Sequence, residues 1–111
     1  MALLAGTTST MDARSSLSMD FAVKAIDFVD KIEGHYSLKN QFERSSTSIG
    51  ANIAESQRAQ STADFVAKMK VALKEANETQ YWLKLLYETK YLSDREYVSL
   101  HSDLLEMAEK F

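Results

Sequence analysis

The sequence predicts an all-α protein, an up-down-up-down four-helix bundle. Apolar residues recur at steps of three and four through four separate segments. Ser-led capping sequences stand at the boundaries of those segments. With no Pro and only three Gly among 111 residues, little interrupts regular structure. Ala, Leu, Lys, Glu, Ser and Met dominate the middle of the chain and favour helix over strand.

Residues 1–16 are rich in Ser, Thr and Ala and show no periodicity, so a flexible N-terminal tail is expected there, with Met11 and Met19 as alternative starts. The bundle domain is expected over 17–111. The first helix is expected from about Leu17 or Ser18 to Glu33, with Ser18 as a good N-cap. Met19, Ala22, Val23, Ile26, Val29 and Ile32 form its apolar face, and Phe21, Ala25 and Phe28 a flanking stripe. Gly34 supplies a left-handed C-cap. The second helix is expected from near Ser37 to about Ala59 or Gln60, with Leu38, Phe42, Ile49 and Ile53 inward. Gly50 costs this helix about 1 kcal/mol relative to Ala, which implies a close helix approach or a slight bend.

Ser61 to Asp64 form a capping-box variant that opens the third helix. Along it Phe65, Ala72, Thr79 and Leu86 repeat at seven, complemented by Met69, Ala76 and Leu83. Val66, Leu73 and Tyr87 widen that face. Ser93 and Glu96 make a capping box for the fourth helix, with Leu92 placed to staple onto Tyr97. Tyr97, Leu100, Leu104, Met107 or Ala108, and Phe111 form its inner face.

The formal net charge is −3, from thirteen Lys and Arg against sixteen Asp and Glu. This balance argues against a surface that grips nucleic acid throughout. Without Cys there is no disulfide, thiolate zinc site or thiol nucleophile. The apolar start MALLA is too short for a signal-peptide core, and no apolar run approaches the roughly 20 residues of a membrane span. A cytoplasmic protein is expected.

The most distinctive stretch is Ser45 to Arg58, SSTSIGANIAESQR, followed by STADFVAKMKVALKEANETQYWL. It resembles the bacterial four-helix-bundle proteins first met as reading frames in intervening sequences of 23S ribosomal RNA genes. Ser48, Ile49, Asn52, Ile53, Ala54, Glu55 and Arg58 match the first element of that pattern. Ser61, Phe65, Leu73, Glu75, Glu78 and Leu83 match the second. The resemblance covers roughly residues 19–111. Gly50 stands where the family often has Pro, and Ser56 where it has Gly.

The resemblance implies a left-handed four-helix bundle that assembles into a homo-oligomer, a pentameric ring, and it implies no established enzymatic activity. A related branch, the accessory proteins of diversity-generating retroelements, forms basic pentamers that work with nucleic acid. This chain lacks their strong positive charge. The ribosomal label describes where the genes were found.

No catalytic, cofactor or metal constellation stands out. Di-iron bundles need Glu-x-x-His pairs, and neither His35 nor His101 has a Glu three residues before it. Asn52, Glu55, Arg58, Glu75 and Glu78 are the candidate polar core or interface. Two readings stay open for them. In the structural one, Asn52 fixes helix register, Glu55 pairs with Arg58, and Glu75 or Glu78 meets a cation of a neighbouring helix. In the other, Asn52, Glu55 and Arg58 build an inter-subunit or ligand site.

Arg44, Arg58, Lys68, Lys70 and Lys74 are the candidate nucleic-acid contacts, or else a solvated face. Phe21, Phe28, Tyr81 and Trp82 are the candidate oligomer interface, because the helices are apolar on more than one side. The expected function is therefore an oligomeric interaction or scaffold module. A nucleic-acid-associated accessory factor is the alternative, so the partners are further copies of the chain and a nucleic acid or protein, with no membrane.

Overall fold

The computed structural model describes residues 2–111 along the backbone and side chains from Ala13 onward. Most of the expected N-terminal tail lies outside the residues with described side chains. Four helices are present: α1 (Ala2–Val29), α2 (Tyr36–Ser56), α3 (Thr62–Glu88) and α4 (Asp94–Ala108). Each packs on its neighbour in the chain, α4 packs back on α1, and the diagonal pairs α1–α3 and α2–α4 stay apart. This is a square bundle of alternating helix direction, as short connections dictate.

The expected N-cap at Ser18 is corrected. Helix α1 continues back past it to Ala2, and Ser18 is buried with its hydroxyl donating to the Ser15 carbonyl at 3.0 Å. The face of α1 is corrected too. Phe21, Ala25, Val29 and Ile32 lie in the core, while Met19 is 65% and Val23 54% exposed. Both stripes have helical spacing, so periodicity alone does not choose between them. Packing selects the stripe that buries a large aromatic and places Ala25 at the contact.

Helix α1 ends at Val29, before the expected Glu33, in a tightened turn with Ile32 N–H donating to Val29 O at 3.0 Å. Gly34 adopts φ 81°, but it stands five residues beyond the end of α1, so the C-cap expected of it is corrected: it belongs to the turn that leads into α2. His35 follows in the same region at φ 49° and takes the N-cap position of α2 without a side-chain cap. The expected cap at Ser37 is thereby displaced, because two successive left-handed residues turn the chain earlier. The His35 ring packs against Tyr91 at 4.7 Å, and Lys39 Nζ donates to the Ile32 carbonyl across the turn. Helix α2 then closes at Ser56, short of Ala59.

The other two starts follow the capping chemistry. Ser61 Oγ accepts the Asp64 N–H, and Asp64 Oδ2 in turn accepts the Gln60 N–H at 3.2 Å. Ser93 and Glu96 form the full reciprocal box. Inside the bundle Phe42, Ile49 and Ile53 of α2 meet Ala72, Ala76, Leu83 and Leu86 of α3, with Leu100, Leu104 and Met107 of α4 completing the core. The seven-residue series on α3 is thus inward, whereas Val66 and Leu73, expected to widen that face, are 42% and 40% exposed.

Gly50 marks a close approach. A Cβ there would stand 3.1 Å from Ser18 Oγ and 3.4 Å from Ser18 Cβ. Helix α2 therefore meets α1 through Gly50 and Ser18.

Candidate functional site

The Ser-rich run of α2 is polar in composition but closed in its hydrogen bonding. Ser45, Ser46 and Ser56 are buried. Ser45 and Ser46 both donate to the Phe42 carbonyl, at 3.2 and 2.6 Å, and Ser56 donates to Ile53 O at 2.6 Å. Each hydroxyl is satisfied inside its own helix, so these residues pack as small side chains and leave no polar group aimed outward. Asn52 follows suit: its Nδ2 donates to the Ser48 carbonyl at 2.8 Å. The register role expected of Asn52 is corrected on that ground, since the bond it makes stays within α2.

Register between α2 and α3 is pinned instead by ion pairs. Arg44 reaches Glu78 Oε1 at 2.5 Å and Glu75 Oε2 at 3.5 Å. Trp82 Nε1 also donates to Glu78 Oε1 at 3.4 Å. The Glu75 side chain is only 12% exposed, and its Oε2 makes no hydrogen bond. The Arg44 charge therefore holds it by Coulomb attraction alone. At the end of α2, Glu55 pairs with Lys68 at 2.9 Å, and this bond and charge raise the Lys68 pKa above the ordinary lysine value. The expected Glu55–Arg58 pair is thus corrected: the Glu55 carboxylate turns to α3.

The charged candidates are divided by these contacts. Arg44 and Lys68 are neutralised by carboxylates and are not open cations. Arg58, Lys70 and Lys74 are exposed and make no ion pair among the described residues. Asn52 bonds within α2, Glu55 turns to Lys68 of α3 and Arg58 makes no ion pair among the described residues, so the three do not bond to one another.

Truncating one partner of the α2–α3 clasp tests its role. Arg44→Ala leaves the Glu75 carboxylate mostly buried without its counter-charge. The expected loss is on the order of 1 kcal/mol, because half of the Arg44 side chain is exposed. Glu75→Gln is expected to lose less, and the double variant less than the sum. Urea unfolding of the three variants as a double-mutant cycle checks this.

The aromatic candidates separate as well. Phe21 is fully buried within the monomer, which corrects its expected place in an interface, since no surface of it remains. Phe28 and Trp82 are half-buried and packed against the core, and Lys31 Nζ lies over the Phe28 ring at 5.9 Å. Tyr81 is 62% exposed and meets the Trp82 ring edge-on at 5.1 Å. His101 stacks on Tyr97 and Tyr97 on Tyr87, at 5.3 and 4.2 Å; the first pair has the i to i+4 spacing of helical neighbours, and the second joins α4 to α3. Among the described residues no three His, Asp or Glu side chains cluster as a metal site.

Two features were not read from sequence. Lys24 of α1 bonds Ser99 and Asp103 of α4 at 3.0 and 2.5 Å. An apolar groove of about 430 Å³ lies between α1 and α2, lined by Met19, Ala22, Val23 and Ile26 on one side and Gly50, Ala51 and Ala54 on the other. The small residues of α2 make its floor and the exposed α1 side chains its rim.

A family model described as 23S rRNA-intervening sequence protein matches residues 15–111 of the chain. Among solved structures, a protein with unknown function from the S23 ribosomal protein family of Bacteroides thetaiotaomicron is similar. It is 40% identical, the match covers 91% of this chain and 93% of that one, and the TM-score is 0.86. A search of the curated proteins finds no match.

Proposed function

Because the chain belongs to the 23S rRNA-intervening sequence protein family, we propose that it is a non-enzymatic interaction module that assembles with further copies of itself. The observation that carries this is the outer surface of α1. Met19 and Val23 are large apolar side chains more than half exposed, and they stand beside the groove whose floor is the distinctive small-residue run of α2. Apolar surface gathered in this way favours burial against another protein surface. The setting we propose is the cytoplasm, since a chain without Cys needs no oxidising compartment. No helix among the described residues is long and apolar enough to cross a membrane.

The test is the light-scattering mass of the purified chain, with and without a mixed pool of RNA and DNA fragments at low salt. A discrete multiple of the 12.5 kDa chain that ignores the pool is expected, the five-membered ring implied by the sequence resemblance being the mass to look for. A mass that rises with the pool and falls back in salt would replace this reading by a nucleic-acid accessory role through Arg58, Lys70 and Lys74. A monomer would overturn it.

A further inference from the structure

We propose that the groove between α1 and α2 holds the alkyl chain of a long-chain carboxylate, with the carboxylate head at the Arg58 end.

The body of the groove carries no charge. Gly50, Ala51 and Ala54 form its floor, Ala22 and Ile26 its α1 wall, and Met19 and Val23 its rim. Floor residues of this size leave a trough beside the contact of Gly50 with Ser18. The trough runs from Ser15 to Ile26, eleven residues of α1, roughly 16 Å along a helix. Its volume of about 430 Å³ is within the range of small-molecule sites. Spread over that length, this volume is a channel about 5 Å across, half the diameter of a helix with its side chains. An unbranched chain of methylenes suits such a channel better than a helical peptide does.

The two ends differ in charge. At one end Gln57 Nε2 donates to Ser15 Oγ at 2.5 Å, tying α2 to α1. Gln57 keeps a right-handed helical backbone, and the Arg58 N–H donates to the Glu55 carbonyl at 3.0 Å. The helical turn thus carries on to Arg58 and sets it four residues past Ala54, on the stripe of Ala51 and Ala54. Arg58 is exposed and makes no ion pair among the described residues, and Glu55, the nearest carboxylate in sequence, is engaged with Lys68. A hydroxyl, an amide and a guanidinium gather at this end, the groups that donate to a carboxylate.

At the other end Asp30 stands four residues past Ile26, and Glu43 four before Thr47. Two carboxylates there repel an anionic head. The ligand is therefore oriented, with its anion beside Arg58 and its tail toward Ile26. An extended chain advances about 1.2 Å per bond, so a tail of about twelve to fourteen carbons spans the groove. The site is built from one chain and does not depend on self-assembly, since an alkyl chain on the floor leaves Met19 and Val23 at the rim.

Isothermal titration calorimetry of the full chain tests the proposal with the even-numbered carboxylates from octanoate to hexadecanoate, each below its micelle concentration. Light scattering on the same samples reports the mass. Affinity is expected to rise by roughly two- to fourfold per added methylene, and to level off after tetradecanoate, where the groove is full. Dodecylamine, the same tail with the opposite charge, is expected to bind at least about tenfold more weakly than dodecanoate. Arg58→Gln should weaken dodecanoate by about two- to fivefold and leave dodecanol unchanged. Ala54→Phe, at an exposed position, should fill the channel and abolish binding while keeping the helical circular dichroism of the parent.

Absence of carboxylate binding would overturn the site, as would an affinity indifferent to chain length. Dodecylamine binding as tightly as dodecanoate would overturn the assigned head-group end, and so would Arg58→Gln without effect on dodecanoate. A folded Ala54→Phe variant that binds like the parent would overturn the groove itself. Dodecanoate binding by a monomeric chain would keep this site and overturn self-assembly, and a multimer without binding would do the reverse.

Discussion

Phe42→Ala is expected to lower the unfolding free energy by about 3–5 kcal/mol, a large part of the roughly 5–15 kcal/mol that holds a domain together. Phe42 is completely buried on α2. The cavity left by its ring cannot be filled by what surrounds it on its own helix. Ser45 and Ser46, one turn on, are small, and their hydroxyls are committed to the Phe42 carbonyl. On α3 the residues facing α2 include Ala72 and Ala76, which have no side-chain length to reach inward. A core built of large side chains set among small ones collapses poorly around a deletion, which puts the cost at the upper end of the usual range. Urea unfolding followed by circular dichroism reads the loss. Leu38→Ala, at a half-buried position on the same helix, should lose less. A drop below about 1 kcal/mol for Phe42→Ala would mean that α2 does not turn this face inward.

Gly50→Val is expected to destabilise by about 1–3 kcal/mol, through overpacking. The first added atom already falls 3.1 Å from Ser18 Oγ and 3.4 Å from Ser18 Cβ, and branching at Cβ leaves little rotamer freedom in a helix to avoid them. Gly50→Ala should be close to neutral, because the gain of about 1 kcal/mol in helix propensity is offset by the tight contact. Removing that contact tips the balance: Ser18→Ala combined with Gly50→Ala is expected to be more stable than Gly50→Ala alone. Ser18 gives up only a bond to Ser15 of its own helix. Melting curves for the four proteins check the order. A Gly50→Val variant that melts with the parent would contradict the close approach of α1 and α2.

Elements whose signal is local were legible in the sequence. The caps at Ser61 and Ser93 depend on residues three or four apart, and both stand where the pattern puts them. The α3 heptad series was legible for a related reason, since one face of that helix carries most of its inward apolar residues and leaves little choice. Helix α1 was different. It is apolar on two stripes, and nothing along the chain says which of Phe21 and Met19 points inward. The same limit applied to the charges. The i to i+3 spacing of Glu55 and Arg58 allows a pair, but Lys68 of the next helix stands 2.9 Å away and takes the carboxylate.

The sequence by itself determined the helical class, the order of the helices, the starts of α3 and α4 and the residues that carry the family resemblance. These follow from periodicity, capping and side-chain size, which act over a few residues. The tertiary structure alone decided which carboxylate Arg44 and Lys68 would meet, and which stripe of α1 would be left outside. Those outcomes depend on which helices are neighbours and how they are registered. Both are settled by packing among all four helices at once, and no segment carries that information alone.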